Sequence, residues 1–285
     1  IELDSDILAS GNANEIVEIE TEYGAVAVPG NMFTSADVKA GEKIRIVVAE
    51  ADKSNLKEDV LDRISDRPVI DLYAKICNTR IKWNNPDAPV SVSIPYTLRA
   101  DEDPEHIVVW YIDDNGEAIP VSNGRYDKEL GRVVFSVTHF GYFAVAYVEK
   151  TFLDLENHPW AKTAIEVMAS KGIIKGTSET TYSPEQNIKR ADFISLVVRT
   201  LELTAEIDSN FDDVKSTDYF YNEVGIAKKL GIVKGVGDNK FNPNEFISRQ
   251  DMMVMVANAL KHIEKLSVTA TANDISSYKD ASQVS

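Results

Sequence analysis

The chain has 285 residues, is 44% hydrophobic and carries a formal net charge of −16, from 30 Lys and Arg against 46 Asp and Glu. That length and apolar content can build two ordinary cores, which excludes disorder as a description of the whole chain. The acid excess argues against a nucleic-acid partner, because phosphate binding depends on basic surface, and no apolar run approaches the ~20 residues of a membrane span.

The charge is uneven, with 15 Lys and Arg against 27 Asp and Glu in residues 1–150 and 15 against 19 in the remainder. The chain opens at Ile1 without a signal-peptide pattern and is read as a segment of something longer. Its one cysteine, Cys77, lies in the apolar stretch Ile70 to Ile81 and is expected to be a buried, inert thiol.

Through residues 1–148, short runs rich in Val, Ile and Tyr alternate with turn residues, the pattern of β structure. The first four runs are Glu15 to Val28, Lys43 to Ala49, Val69 to Ile81 and Val90 to Tyr96, with short helical turns expected at Thr34 to Val38 and Asp59 to Ile64. A hairpin meander follows in Ile107 to Ile112, Ala118 to Val121, Val133 to Val137 and Tyr142 to Val148. Asp113-Asp114-Asn115-Gly116, Asn123-Gly124 and Leu130-Gly131 punctuate it. Such spacing predicts a β-sandwich or partly open barrel. The acidic turn could hold calcium, but Asp-Asn-Gly is also what a tight hairpin needs, and without EF-hand spacing the turn reading is preferred. His106 and His139 have no Cys or His at ligand spacing and are read as strand-edge residues. No nucleophile motif, phosphate loop, metal site or cofactor site is read from this half.

The C-terminal half is an ungapped repeat of 59 residues. It maps Phe152 onto Phe211, Asp154 onto Asp213, Gly172 onto Gly231, Gly176 onto Gly235, Pro184 onto Pro243, Arg190 onto Arg249 and Leu201 onto Leu260. Each copy opens with an aromatic-x-Asp turn and enters a first helix, through His158-Pro159-Trp160 in the first copy. Trp160, Ala164, Val167 and Met168 are expected on its apolar face, matched by Tyr219, Val224, Ala227 and Leu230, and Gly172 and Gly231 are expected as left-handed caps. A loop ending in Tyr182-Ser183-Pro184 or Phe241-Asn242-Pro243 leads to a second helix. Its predicted core face is Phe193, Leu196, Val197, Thr200 and Leu201, or Met252, Met255, Val256, Ala259 and Leu260. Ser248 and Asp251 form an expected capping box, where the first copy has Lys189.

An arginine in the first turn of a helix opposes the macrodipole, yet both copies keep one. Arg190 and Arg249, with helical N–H groups beside them, could bind a carboxylate or phosphate; the alternative is a surface pair, Arg190 with Asp192 and Arg249 with Asp251.

These motifs, in this order and twice over, resemble the S-layer homology family, the wall-anchoring modules of bacterial surface proteins. The resemblance covers residues 151 to about 264, with a third opening at Tyr278-Lys279-Asp280. It implies a three-module pseudo-trimer whose grooves bind an acidic secondary cell-wall polysaccharide, often bearing a pyruvate ketal. It also implies Arg190 and Arg249 as glycan ligands, supported by Asp154, Asp213, Trp160, Gly176 and Gly235. Lys189 and Ser248 stand where the family has threonine, Asp192 and Asp251 where it has glutamate, and Tyr219 where it has tryptophan.

The expected architecture is α+β and multidomain: a β-sandwich-like spacer or accessory domain over 1–148, then helix-loop-helix modules over 149–208 and 209–266, and a linker with the start of a third module over 267–285. The expected function is non-catalytic anchoring of a surface protein or exoenzyme outside a Gram-positive-type cell, in its wall or S-layer. The competing reading makes residues 1–148 a carbohydrate-binding or polysaccharide-degrading part with the repeats as an address tag. Self-association, or completion of a module by another chain, is a further partner expectation.

Overall fold

The computed structural model describes residues 1–34 and 37–263. Part of the turn expected at Thr34 to Val38, and all of the linker and third opening in 267–285, lie outside the described residues. The chain divides into two compact units, Ile1–Pro184 and Glu185–Ser285.

The first unit is built on two antiparallel sheets. One has the order β1 (Glu2–Asp4), β4 (Lys43–Glu50), β5 (Val69–Ile76), β12 (Gly141–Tyr147), β8 (Ile107–Ile112) and β9 (Ala118–Val121), with β6 (Thr79–Ile81) paired to β5. The other has the order β10 (Arg125–Asp127), β11 (Arg132–Val137), β7 (Val90–Pro95), β3 (Ala25–Pro29) and β2 (Ile16–Glu20). Strict alternation sets which face is apolar: Ile44, Ile46 and Val48 on β4, Val90, Val92 and Ile94 on β7, and Val133, Phe135 and Val137 on β11 all join one buried cluster. β8 instead reads as a continuous apolar run because it is covered on both faces. Ile107 and Val109 enter the main cluster, while Val108, Trp110 and Ile112 meet Val60 and Ile64 of α2 (Glu58–Ile64), which follows the short α1 (Ser5–Leu8) in the chain.

The structure corrects two expectations here. The run Glu15 to Val28 is a hairpin of β2 and β3, and the run Val69 to Ile81 is a second hairpin whose turn is Cys77-Asn78, with φ of 49° and 66°. Two consecutive positive φ values are the geometry that joins strands most tightly, and they place Cys77 at an exposed tip instead of in the core. The acidic turn is a hairpin as preferred: Asp113 accepts from the amides of Asn115 at 2.9 Å and Glu117 at 2.8 Å. The two histidines do structural work. Burial holds the His139 imidazole below its usual pKa between Tyr111 and Phe143, and His106 Nδ1 lies 3.1 Å from both the Val148 carbonyl and Ser170 Oγ.

A polar cluster is buried in this unit. Arg67 and Glu102 pair with side chains 9% and 2% exposed, and the Tyr96 hydroxyl donates to Glu102 at 2.6 Å. Burial, then Glu102, pushes the Tyr96 hydroxyl up to about 12. The unit also holds the first half of the first repeat, the turn Leu153–Leu155 and α3 (Pro159–Ser170). Buried Ser170 fastens α3 to the β region, accepting from the Lys150 amide at 3.1 Å and donating to the Glu166 carbonyl at 2.8 Å.

The second unit contains α4 (Arg190–Thr200), α5 (Tyr221–Lys229) and α6 (Arg249–His262). Its core takes Ala191, Ile194 and Val198 from α4, Val224 and Ala227 from α5, and Met255 and Ala259 from α6, closed by Phe211, Phe220 and Phe241. The face of α4 that is buried is therefore rotated by one residue from the expected one: Ile194, Val197 and Val198 are inside, while Phe193 and Leu196 are half-buried and Thr200 is exposed. On α6, Met255 and Ala259 are buried as expected, but Val256 is 37% exposed and Met252 and Leu260 lie outside the core as well. On α3, Trp160 is 87% exposed and Ala164 is exposed, so neither belongs to the core face predicted for them.

Candidate functional site

Each repeat is held by the same local device. Asp154 Oδ1 accepts from the Tyr182 amide at 2.9 Å and Oδ2 from the Ser183 amide at 2.6 Å; Asp213 repeats this with Phe241 at 2.9 Å and Asn242 at 2.8 Å. The carboxylate of the aromatic-x-Asp turn thus pins the aromatic-x-Pro loop 28 residues on, at the residue with positive φ, 62° at Ser183 and 54° at Asn242. The bond from the Tyr182 amide comes first in holding the Asp154 carboxyl below its ordinary pKa. The stability it lends is therefore present above the ordinary carboxylate range and lost as pH falls through that depressed value.

Gly176 and Gly235 close the same device. A Cβ on Gly176 would lie 2.5 Å from the carbonyls of Ser178 and Thr181 and 2.6 Å from Phe152; on Gly235, whose φ is +76°, it would meet the Lys240 carbonyl and lie 2.7 Å from Phe211. Gly235→Ala is therefore expected to lower the unfolding free energy of the second unit by about 2 kcal/mol or more, read from urea unfolding. Gly172 and Gly231 have the expected left-handed conformation, with φ of 71° and 70°.

The two arginines differ sharply. Arg190 is 6% exposed; its Nε donates to the Phe241 carbonyl at 3.0 Å, its Nη1 to Asp251 at 2.7 Å, and its guanidinium lies 5.2 Å from the centre of the Phe241 ring. The amides at the start of α4 are also taken, Arg190 N by the Glu245 carbonyl at 2.8 Å and Ala191 N by the Pro243 carbonyl at 3.1 Å. The partner of Arg190 is thus the aspartate of the next repeat, not Asp192, which accepts instead from the Tyr219 hydroxyl. Burial first, and then that bond, raise the Tyr219 pKa. Lys189 Nζ reaches Asn244 at 3.4 Å and its backbone bridges to Phe246, so α4 begins clamped into the second copy's loop.

Arg249 holds the same place in its repeat and is exposed, with neither a hydrogen bond nor an ion pair of its side chain among the described residues. Ser248 caps α6 as expected, accepting from the Asp251 amide at 3.1 Å. Beside Arg249 runs a groove of about 510 Å³ lined by Phe193, Met252, Met253, Val256 and Leu260. Of the residues expected to act together, the second unit gathers Lys189, Arg190, Asp213, Gly235, Ser248 and Arg249; Asp154, Trp160 and Gly176 belong to the first unit. Sequence reasoning missed the clamp between Arg190 and Asp251, although the second copy's Asp251 was in view as a capping residue. The residues between them give no local sign of the pairing.

Among the described residues there is no group of three or more His, Cys, Asp and Glu that could hold a metal, and no helix long and apolar enough to cross a membrane. The S-layer homology domain family matches residues 151–194 and 210–253. The chain is 28% identical over 281 residues, 96% of its length, to an amylopullulanase of Thermoanaerobacterium thermosulfurigenes, and 41% identical over 103 residues, 36% of its length, to endo-1,4-beta-xylanase A of Thermoanaerobacterium saccharolyticum. It is 29% identical over 126 residues, 44% of its length, to the S-layer protein sap of Bacillus anthracis. The chain spans 14%, 9% and 15% of those three proteins. It thus carries two S-layer homology domains, the wall-anchoring modules of bacterial surface proteins.

Proposed function

We propose that the two modules hold a surface protein or exoenzyme on its cell wall by binding an acidic secondary polysaccharide, with the guanidinium of Arg249 taking a carboxylate such as that of a pyruvate ketal. The observation that carries this reading is the exposed Arg249 at the start of a capped helix, where a cation and backbone amides together favour an anion. Trp160 adds an exposed indole face for a sugar ring. Arg190 and Lys189 contribute by holding the second copy's loop in place, and Asp154, Asp213, Gly176 and Gly235 by fixing the loops, with Ser248 ordering the start of α6.

In this reading residues 1–148 form a β-sandwich-like spacer, and helix-loop-helix modules occupy 149–208 and 209–266. The chain itself is non-catalytic, and hydrolase chemistry of the kind named for its amylopullulanase and xylanase relatives belongs to other segments of a longer protein. The protein acts outside a Gram-positive-type cell, in the wall or its S-layer.

The test is co-sedimentation with purified sacculi before and after the wall polysaccharide is stripped. Binding should vanish with the polysaccharide, weaken as salt rises, and fall at least about tenfold in Arg249→Ala, the loss of one charge-assisted contact. Binding indifferent to polysaccharide removal would sink the proposal.

A further inference from the structure

The two repeats share one register but differ at the ends of their first helices, and the differences fall where the first copy meets the β region. Ser170 and Lys171 stand where the second copy has Lys229 and Leu230. Lys229 is exposed and pairs with Asp208, and Leu230 packs on the helical core. Ser170 is instead buried among hydrogen bonds, and Lys171 Nζ donates to the Gly124 carbonyl at 3.4 Å. The glycines that cap the two helices diverge in the same way. A Cβ on Gly172 would lie 2.6 Å from Pro120 of β9, whereas one on Gly231 would have no described atom within 4 Å. On the β side, the turn Pro104–His106 packs against α3.

Hydrogen-bond bookkeeping settles the role of His106 in that contact. The single hydroxyl proton of Ser170 goes to the Glu166 carbonyl at 2.8 Å, while its oxygen accepts from the Lys150 amide at 3.1 Å. The Val148 carbonyl can only accept. Two oxygens at 3.1 Å from His106 Nδ1 therefore require a proton on that nitrogen, whatever the state of the other. The Val148 amide returns a bond to the His106 carbonyl at 3.0 Å, so the residue is stitched to the chain just past β12 from both sides. We propose that His106 is a positioning residue for the first module: its Nδ1–H, shared between Val148 and the helix end at Ser170, sets the direction of α3 and with it the place of Trp160. Trp160 stands at the far end of α3, about 15 Å along the axis at 1.5 Å per residue, so a tilt of about 10° at Ser170 moves the indole by about 3 Å. On the wall-binding reading, on which this consequence rests, the β region is part of the binding apparatus as well as its spacer.

Hydrogen exchange followed by mass spectrometry, on the full chain and without glycan, reads the positioning directly. In His106→Ala the amides of the last two turns of α3 should exchange at least about tenfold faster, while those of α5 keep their wild-type rates and report that the helical core is intact. His106→Asn, whose amide can place a donor where Nδ1 was, should restore α3 to within about threefold of wild type. Lys171→Leu, which installs the second copy's residue, should also loosen α3. Sacculus binding should follow the same order, at least about threefold weaker in His106→Ala and recovered in His106→Asn. Wild-type exchange of α3 in His106→Ala overturns the proposal, as does His106→Asn behaving like His106→Ala, which would leave ring packing and not the donor as the cause. A loosened α3 with undiminished wall binding overturns the link to the site. A wild-type chain that does not bind sacculi sinks the wall-binding reading instead, and the exchange pattern still decides whether His106 holds α3.

Discussion

Arg190→Met is expected to lower the unfolding free energy of the helical unit by about 2–3 kcal/mol, whereas Arg249→Met, at the same place in the repeat, should change it by less than about 0.5 kcal/mol. The difference follows from what each guanidinium touches. Arg190 is buried against the Phe241 ring, satisfies the Phe241 carbonyl and pairs with Asp251, so its removal leaves an acceptor without its donor and a carboxylate without its cation. Asp251 is 44% exposed and can be rehydrated, which keeps the cost at the lower end for a broken pair. Arg249 is exposed and makes no such contact among the described residues. Wall binding should nevertheless fall in both variants, by misplacing the loop in Arg190→Met and by removing the anion contact in Arg249→Met. Urea unfolding and sacculus binding, run side by side, separate the two effects. Equal stability loss at both positions would show that the two arginines do the same work.

The β region should respond as strongly to Glu102→Gln, by about 3 kcal/mol, because Arg67 would then be a buried cation without a counter-charge. Burial by itself would raise the Glu102 carboxyl, but the Tyr96 hydroxyl, the Arg99 amide and the Arg67 guanidinium together hold it below the ordinary carboxylate range. A depressed folded-state pKa means that the stabilisation is complete above the unfolded carboxylate pKa and disappears as pH falls through the folded value. Wild-type stability should therefore decline on that acid limb more steeply than that of Glu102→Gln. Parallel pH profiles for the two proteins would refute the assignment. Loss of the Tyr96 hydroxyl alone, in Tyr96→Phe, should have a smaller effect, since the ion pair survives it.

What could be read before folding, and what could not, divides by range. The glycine caps, the Ser248 cap and the acidic hairpin turn are set by a few adjacent residues, and each is where its local chemistry puts it. The strands from Lys43, Val90 and Ile107 onward were legible because alternation, or its absence in β8, reports how many faces are covered. The turn at Cys77-Asn78 was hidden because Cys-Asn lacks the glycine that usually marks two positive φ values. The one-residue error in the α4 face has another origin: apolar residues stand at 193, 194, 196, 197 and 198, so the pattern alone allows two rotations. The neighbour selects between them. Likewise nothing near Arg190 announces that its counter-charge is 61 residues away.

The boundary after Pro184 falls between the two helices of the first repeat, so the duplicated stretch of sequence and the stretch that packs together are half a period out of phase. Exchange of material between such proteins has two natural cutting frames with opposite outcomes. A graft that transplants a whole sequence repeat, from its aromatic-x-Asp opening to the end of its second helix, severs α4 from the α5 surface that buries it and exposes Ile194 and Val198. One that begins at Glu185 and runs through α6 carries the α4, α5 and α6 core intact. The portable cassette is thus offset from the ancestral duplication, and engineered wall anchors assembled from these modules should be joined at that seam.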